Sequence, residues 1–172
     1  MNKILGIAQK YNIDVIEDAA CALGTVFNNK NAGTFGKTGC FSFHPRKSVT
    51  TGEGGAIVTS DKNIYHRIQL IKNHGITFSE GKYDLVLPGL NYRMTNILAA
   101  LGRVQLKKMH EKIAFRTKLA KKYMELLSDL PNIVLPDMQP GHSWQSYMIL
   151  LESNINRDSV IKGLKKMGLS QI

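Results

Sequence analysis

Two side chains of opposite charge, Lys47 and Asp18, could act together on one carbonyl compound. Lys47 follows an alternating aromatic stretch at residues 39–43, and a lysine amine condenses with an aldehyde to form an imine and release water. Asp18 ends the apolar run that contains Val15 and Ile16. A carboxylate at the carboxyl end of a strand lies where α/β sheets bind ligands, and it could hold a positively charged ring nitrogen.

Together the two groups indicate pyridoxal phosphate. A lysine imine and a carboxylate on the pyridinium nitrogen are the minimum that this cofactor needs, because its ring then serves as an electron sink. Ser42 adds a hydroxyl, and the backbone amides of Gly52, Gly54 and Gly55 could approach an anion or simply form a turn. Considered singly, lysines are mostly exposed, and an aspartate that closes a strand is often a turn residue.

Short strands and helices must position these residues. Apolar spacing and turn residues predict a helix at 3–11 and strands at 12–18, 40–43 and 54–60, the first of them buried. Asp61 is predicted to cap a helix that runs to about His74, with Gly75 as its left-handed C-terminal residue. The following segment, 76–93, is predicted to be looser.

The second half of the sequence predicts a long helix and a smaller unit. Thr95 has the character of a helix cap, and the helical pattern continues from Asn96 to about Leu127, which is long unless the helix bends or joins domains. After a proline-containing connector, the predicted elements are a strand at 144–152, a helix at 158–167 capped by Asp158, and a strand beginning in 168–172. Strands mixed with helices indicate an α/β fold.

Charge narrows the range of partners. The 172 residues include 23 Lys and Arg against 13 Asp and Glu, which gives a net charge of +10. Eight cations lie between Arg103 and Lys122 with one acid, Glu111, and their helical spacing favours a solvated helix face over a nucleic-acid groove. A basic nucleic-acid-binding domain stays open as an alternative, which predicts binding that weakens steeply with salt.

The remaining composition predicts a cytoplasmic protein. The two cysteines, Cys21 and Cys40, in a chain without a secretory leader suggest a reducing compartment. No apolar run approaches the length of about 18 residues that spans a bilayer. We therefore expect neither a membrane partner nor a metal site.

Four blocks of the sequence carry a family resemblance: "VIEDAACALGT", "AGTFGKTGCFSFHPRKSVTTGEGGAIVTSD", "IKNHGI" and "GLNYRMTNILAALGRVQL". In this order they resemble the signature blocks of the DegT/DnrJ/EryC1/StrS family of sugar aminotransferases. The resemblance covers most of residues 4–127 and, more loosely, the remainder. It implies a pyridoxal-phosphate enzyme of the aspartate aminotransferase fold (fold type I), with a mostly parallel or mixed sheet, and a homodimer with a shared active site.

The resemblance also implies roles for individual residues. Lys47, in the S-F-H-x-x-K pattern, falls at the position of the imine-forming lysine, and Asp18 at that of the pyridinium partner. Ser42 matches the serine that contacts the cofactor phosphate. Asn91 of "NYRM" matches an asparagine that reaches the phosphate of the neighbouring subunit's cofactor.

Two residues after Asp18 complete the implied cofactor site. Ala20 and Cys21 follow the aspartate in "EDAAC" and fall where the chain passes the pyridoxal ring. Many members have Gln or His near the pyridoxal hydroxyl, where this chain has Cys21, a weaker hydrogen-bonding group. This departure affects the tuning of the ring rather than its attachment.

The implied reaction is amino transfer in two half-reactions. An amino donor, for which glutamate is expected, displaces Lys47, and the freed amine is the base for the proton shift. The nitrogen then passes to a keto-sugar carried on a nucleotide. Relatives that dehydrate their substrate tend to have histidine at the lysine position, so Lys47 favours transfer.

Family members are longer, so we interpret the sequence as a fragment. Residues 1–94 would be a partial cofactor-binding large domain, 95–130 a long connecting helix, and 131–172 the start of an incomplete α+β small domain. A catalytically silent remnant that serves as a binding or assembly module stays open as an alternative. That alternative predicts no imine band despite intact Lys47 and Asp18.

Overall fold

The computed structural model describes residues 1–169, in which helices and short strands alternate. In chain order the elements are α1 (Asn2–Lys10), β1 (Ile16–Asp18), β2 (Val26–Phe27), β3 (Lys30–Asn31), β4 (Thr38–Ser42), β5 (Gly55–Val58), α2 (Lys62–Ile71), β6 (Ile76–Ser79), β7 (Lys82–Leu85), α3 (Asn96–Lys107), α4 (Met109–Leu127), β8 (Ile133–Val134), β9 (Leu150–Leu151) and α5 (Arg157–Lys166). The α/β class is confirmed, as are the helix predicted at 3–11 and the strands predicted at 40–43 and 54–60, within a few residues.

Three strands form a mixed sheet in the order β1, β4, β5. β1 pairs with β4 in parallel, with Asp18 opposite Cys40. β5 pairs with β4 in the antiparallel sense, with Gly55 opposite Ser42. The parallel pairing matters for function because it brings the carboxyl ends of β1 and β4 to the same edge of the sheet.

Two hairpins occur that the sequence analysis did not predict. β2 and β3 are joined through Asn28 and Asn29, whose φ angles are 49° and 59°. β6 and β7 are joined through Glu80 and Gly81, with φ of 50° and 78°. Two successive left-handed residues make the tight turn that suits a hairpin. The prediction of a looser segment is therefore wrong for residues 76–85, and the Asn-Asn and Glu-Gly pairs were the local signals.

Two predicted helix starts are confirmed by their caps. At the start of α2, the Asp61 carboxylate accepts hydrogen bonds from the backbone N–H groups of Asn63 and Ile64. At the start of α3, the Thr95 hydroxyl accepts one from the N–H of Leu98. Each cap satisfies backbone donors that have no partner inside the helix.

The ends of these helices differ in detail from the prediction. α2 ends at Ile71, before His74, and both His74 and Gly75 have left-handed φ angles, 60° and 71°. The long helix is divided at Lys108, whose ψ of 6° separates α3 from α4. The chain therefore bends where a single straight helix would have been unusually long. The proposed domain division at residues 94/95 and 130/131 stays a prediction.

Two predicted strands are shorter than expected. Of the segment 12–18, only β1 is a strand, and Ile16 is 70% exposed, so the prediction of a buried strand is wrong here. Of the segment 144–152, only β9 is a strand. Trp144 has φ of 51°, a left-handed conformation that a strand does not allow.

The last helix begins differently from the prediction. Asn156, and not Asp158, is its N-cap: the Asn156 side-chain oxygen accepts a hydrogen bond from the N–H of Ser159. Asp158 instead lies in the first turn, where a carboxylate is favourable next to the helix dipole. Of the strand predicted to begin in 168–172, residues 170–172 lie outside the described residues.

The most deeply buried residues include the segment that follows Lys47. Val49 is fully buried, Thr51 is 1% exposed, and Ser48 is also buried. Loops normally run over the surface of a protein. A loop that is itself part of the packed interior has little freedom, so the backbone next to Lys47 is strongly constrained.

A second constraint acts on β1 through Glu17. Its carboxylate accepts hydrogen bonds from the backbone N–H groups of Gly33 (2.8 Å), Phe35 and Gly36 (2.7 Å). Gly33 has φ of 85°, and a methyl group there would overlap the ring of Phe41. Glu17 therefore ties the glycine turn before β4 to β1, which holds the parallel strands together next to Asp18.

Removing the negative charge at Glu17 tests this tie. Hydrogen bonds to a charged group contribute about 1.5–3 kcal/mol each. We expect Glu17→Gln to lower the free energy of unfolding by about the value of one such bond, 1.5–3 kcal/mol. Urea denaturation followed by circular dichroism measures the change. Glu80→Gln, in the exposed turn between β6 and β7, is the matched control and should stay within about 0.5 kcal/mol. Equal stabilities of the two variants would contradict the tie.

Candidate active site

Asp18 and Ser42 lie at the same edge of the sheet because they end its two parallel strands. Ser42 is two residues beyond the partner of Asp18, or about 7 Å further along the strand direction. The Asp18 carboxylate accepts one hydrogen bond, from the N–H of Ala20 (3.1 Å). The Ser42 hydroxyl oxygen accepts one from the N–H of His44 (3.3 Å). Each side chain keeps capacity for a further partner.

Lys47 reaches this edge from the loop between β4 and β5. Its ammonium donates a hydrogen bond to the Cys21 sulfur at 2.8 Å. Cys21 follows Asp18 and Ala20 in the turn after β1, so the structure brings five of the six predicted site residues to one edge. Among residues 1–169, no carboxylate lies within 4.0 Å of the Lys47 ammonium. The amine is therefore not neutralised by an acid that would compete with a carbonyl ligand.

Asn91, the sixth predicted residue, lies elsewhere. It forms an isolated β-bridge with Asn73, and its side-chain oxygen accepts a hydrogen bond from the Arg93 guanidinium (3.3 Å). The Arg93 side chain also approaches His74 at 3.4 Å. The structure does not bring Asn91 into contact with Lys47 or Asp18.

The Lys47 loop is held from one side by the junction of α3 and α4. The Gln105 side chain donates to the Thr50 carbonyl (3.0 Å) and accepts from the Thr50 N–H (3.3 Å). The Lys112 ammonium donates to the Ser48 carbonyl (3.0 Å) and to Gln105 (2.9 Å). These bonds attach the backbone beyond Lys47 to two helices.

From the other side the loop is held by Gln145. Its side-chain oxygen accepts hydrogen bonds from the N–H and hydroxyl of Ser48 (2.9 and 2.8 Å), and its amide donates to the Arg46 carbonyl (2.9 Å). The backbone of Gln145 is itself fixed, because the Arg116 guanidinium donates hydrogen bonds to the carbonyls of Trp144 and Gln145.

The sequence analysis missed this set of supporting side chains. Lys112 and Arg116 belong to the eight cations that were interpreted as a solvated face, and for these two the interpretation is wrong: both are partly buried and donate to backbone carbonyls. Helical spacing places a cation on a face but cannot show what packs there. Gln145 carries no motif, and its only signal was a polar residue next to the lone tryptophan.

Two side chains away from the sheet edge, Lys37 and Tyr147, have raised pKa values. The Asp14 carboxylate, which bonds to Lys37 at 2.8 Å, raises the pKa of that lysine. This pair precedes β1 and β4, at the opposite end of the strands from Asp18. Burial raises the pKa of Tyr147, whose hydroxyl is buried without a hydrogen-bond partner among the described residues.

Two cavities of the described structure lie away from Lys47. One cavity of about 600 Å³ lies beside Arg93 and Asn73, and another of about 550 Å³ lies beside Gly24 and Trp144; neither is lined by Lys47. Within the described residues, no three or more His, Cys, Asp or Glu side chains are grouped to hold a metal ion. In the same part of the chain, no helix combines the length and apolar character needed to cross a bilayer.

Comparison with known proteins identifies the relatives of this arrangement. The sequence model of the DegT/DnrJ/EryC1/StrS aminotransferase family matches residues 1–171. The chain belongs to this family. The predicted family is thereby confirmed, and so is its cofactor, because this is a family of pyridoxal-phosphate-dependent enzymes.

Individual relatives show the same coverage. GDP-perosamine synthase of Caulobacter vibrioides is 36% identical over 174 residues, which is 98% of this chain and 47% of that enzyme. Helicobacter pylori PseC, an aminotransferase involved in the biosynthesis of pseudoaminic acid, superimposes with a TM-score of 0.90 at 30% identity, over 95% of this chain and 45% of PseC. The chain thus spans about half the length of the relatives that it matches.

Solved relatives include enzymes with the cofactor bound. E. coli GDP-4-keto-6-deoxy-D-mannose-3-dehydratase, with bound hydrated pyridoxal phosphate, superimposes with a TM-score of 0.90 at 31% identity, over 98% of this chain and 48% of that enzyme. These likenesses confirm the predicted fold. The DegT/DnrJ/EryC1/StrS chain described here contains part of the fold type I architecture of pyridoxal-phosphate enzymes.

The donor set at the sheet edge fits this cofactor. The Lys47 amine, which has no acidic partner among residues 1–169, suits an aldehyde. The Asp18 carboxylate accepts one backbone N–H there and can accept a second hydrogen bond from a protonated ring nitrogen. The Ser42 hydroxyl can donate to a phosphate oxygen while it accepts from His44. Amine, carboxylate and hydroxyl are therefore available at one edge.

The contact between Lys47 and Cys21 gives a test that needs no cofactor. At a separation of 2.8 Å, alkylation of the exposed Cys21 would place a bulky group beside the amine. We expect iodoacetamide treatment to slow the reaction of Lys47 with trinitrobenzenesulfonate several-fold, as measured by peptide mass spectrometry. Treated Cys21→Ser should keep the untreated rate, whereas treated Cys40→Ser should behave like the wild type. An unchanged Lys47 rate in alkylated wild type would contradict the contact.

Proposed function

We propose that this chain supplies the catalytic lysine and carboxylate of a pyridoxal-phosphate-dependent aminotransferase that acts on a keto-sugar nucleotide. One observation carries the proposal: the Lys47 amine contacts Cys21 in the turn that follows Asp18. The amine, carried on a packed and hydrogen-bonded loop, thus reaches the turn that begins at the Asp18 end of β1. Membership of an aminotransferase family supports the same reaction class.

Lys47 has two tasks in this proposal. Its amine binds the cofactor covalently through the aldehyde carbon, with release of water. Once an amino donor had taken its place, the freed Lys47 amine would be the base that removes the proton from the donor's α carbon in the 1,3-proton shift. The contact with Cys21 shows that the side chain can extend to the sheet edge.

Asp18 and Ser42 hold and orient the bound group. When bound, the pyridoxal ring supplies an electron sink for the charge that develops at the substrate carbon. The Asp18 carboxylate keeps a proton on the ring nitrogen, and the Ser42 hydroxyl donates to the phosphate. Ala20 and Cys21, in the turn after Asp18, would lie next to the ring. Because Asp18 and Ser42 end parallel strands, their separation is set by the sheet.

The substrate class is proposed from the relatives. GDP-perosamine synthase and PseC are named for amino-sugar products, and the E. coli relative is named for a GDP-linked keto-sugar. We infer that this chain also acts on a keto-sugar joined to a nucleoside diphosphate, with glutamate as the amino donor. The presence of Lys47, and not histidine, supports transfer over dehydration.

The assembly is proposed as a cytoplasmic homodimer with a shared active site. Asn91 lies apart from Lys47, on a segment fixed by its bridge to Asn73. This placement is compatible with a role at the cofactor phosphate of the neighbouring subunit. Both cysteines are free thiols, which suits a reducing compartment.

Trapping the cofactor on the protein tests the proposal. Pyridoxal phosphate should produce a visible absorption band, and borohydride reduction should leave a mass label that peptide mapping locates at Lys47. Lys47→Ala should lose both band and label, whereas Lys62→Ala, at an exposed lysine in the first turn of α2, should retain both. The proposal would be wrong if the folded wild type were labelled only at other lysines or were not labelled at all. Either result would favour a catalytically silent binding module.

The carboxylate has its own test. Asp18→Asn should still be labelled at Lys47 but should lower the rate of amino transfer about 10²–10³-fold, since removing a preorganised electrostatic group commonly has an effect of that size. The transfer is followed with glutamate and a keto-sugar nucleotide. Asp84→Asn, on the exposed strand β7, is the control and should transfer at the wild-type rate. If Asp18→Asn transferred the amino group at the wild-type rate, Asp18 would have no role in the reaction.

A further inference from the structure

We propose that Gln145 is a positioning residue for Lys47: one side-chain amide holds the peptide groups on both sides of the lysine. The inference rests on the proposed function, because it concerns how the cofactor-binding amine is aimed. It adds a role for a residue that lies 98 positions further along the chain than Lys47 and that no motif identifies.

The geometry of the three hydrogen bonds carries the argument. The Arg46 carbonyl belongs to the peptide group that precedes the Lys47 Cα, and it accepts from the Gln145 amide at 2.9 Å. The Ser48 N–H belongs to the peptide group that follows, and it donates to the Gln145 oxygen at 2.9 Å. Two peptide planes held by one rigid amide fix both φ and ψ of Lys47, and these angles set the direction of its Cα–Cβ bond.

Further bonds remove the remaining freedom. The Lys47 N–H donates to the His44 carbonyl at 2.9 Å, and the Ser48 hydroxyl gives Gln145 a second donor at 2.8 Å. Val49 is fully buried, so the loop cannot move away from Gln145 without opening the packed interior. The direction of Lys47 is therefore decided by backbone contacts, while its ammonium remains able to exchange Cys21 for another partner.

Gln145 can do this because its own backbone is immobilised. The Arg116 guanidinium on α4 donates to the carbonyls of both Trp144 (2.9 Å) and Gln145 (3.0 Å). Trp144 has φ of 51°, which is unfavourable for a bulky residue. Its N–H donates to the His142 ring at 3.0 Å, and the two rings lie 4.3 Å apart. A left-handed bulky residue persists only where its surroundings hold it.

A purely structural role for these bonds would have a different signature. Loss of the three hydrogen bonds would then lower stability alone, by about 1 kcal/mol for each bond. A positioning role instead predicts a change in how fast Lys47 captures an aldehyde. A displacement of about 1 Å in a reacting group can slow a reaction about 10²-fold.

Gln145→Met is the decisive variant because it keeps the length of the side chain and removes all three hydrogen bonds. Pyridoxal phosphate is mixed with the purified protein, and the visible band is followed by stopped flow, with the label then located at Lys47 after borohydride reduction. We expect attachment about 10- to 100-fold slower than in the wild type, together with a shifted pH midpoint of the band. Gln9→Met, on the exposed face of α1, is the control and should match the wild type.

A conservative variant separates the two halves of the contact. Gln145→Glu keeps an oxygen for the Ser48 donors but loses the donor to the Arg46 carbonyl. We expect its attachment rate to fall between those of the wild type and Gln145→Met. Far-UV circular dichroism checks that each variant is folded. If Gln145→Met does not fold, Gln145→Glu gives the result, and an unchanged rate in that variant overturns the proposal.

The outcomes separate this inference from the proposed function. If the wild type is not labelled at Lys47, the proposed function fails. If the wild type is labelled and Gln145→Met is labelled equally fast with the same pH midpoint, the positioning role alone fails, and any loss of stability then shows that Gln145 is structural.

Discussion

The immobilisation of the loop around Lys47 is the constraint on which the rest of the structure depends. A lysine side chain has four rotatable bonds and is normally among the most mobile groups on a protein surface. Here its backbone is surrounded by hydrogen bonds from Gln105, Lys112 and Gln145, and Val49 beside it is fully buried. An amine that starts from a fixed point can meet a carbonyl in a defined geometry, which is the main entropic requirement of such chemistry.

The sheet supplies the complementary constraint on the carboxylate. β1 and β4 run parallel, and Glu17 ties the glycine turn before β4 to β1 through three backbone N–H groups. Register between the two strands is thereby set immediately before Asp18. Because β1 and β4 are parallel, Asp18 and Ser42 lie at the same edge of the sheet, which the Lys47 side chain also reaches. Two independent sets of hydrogen bonds thus define one site, one acting through the sheet and one through the helices.

The supporting set also connects distant parts of the chain. Arg116, in the middle of α4, holds the backbone of Gln145, and Gln145, beyond the proline-containing connector, bonds to the residues on either side of Lys47. Cations that would otherwise form a solvated stripe are partly used to bind backbone carbonyls. Of the residues that hold the lysine loop, Gln105 lies inside a signature block, whereas Lys112 and Gln145 lie beyond the four blocks.

The sequence by itself determined the family and the fold class, because strand ends, glycine turns and recurrent patterns are local signatures; the roles of the five site residues at the sheet edge stay a prediction. It also determined the caps at Asp61 and Thr95, which depend on neighbours two or three residues away. The Asn156 cap of α5 and the hairpin at residues 76–85 also have local signals, three residues or fewer in extent, although the sequence analysis did not predict them. Only the tertiary structure revealed the roles of Glu17, Arg116 and Gln145, since their hydrogen bonds join residues between 16 and 99 positions apart and leave no periodicity or local spacing to find.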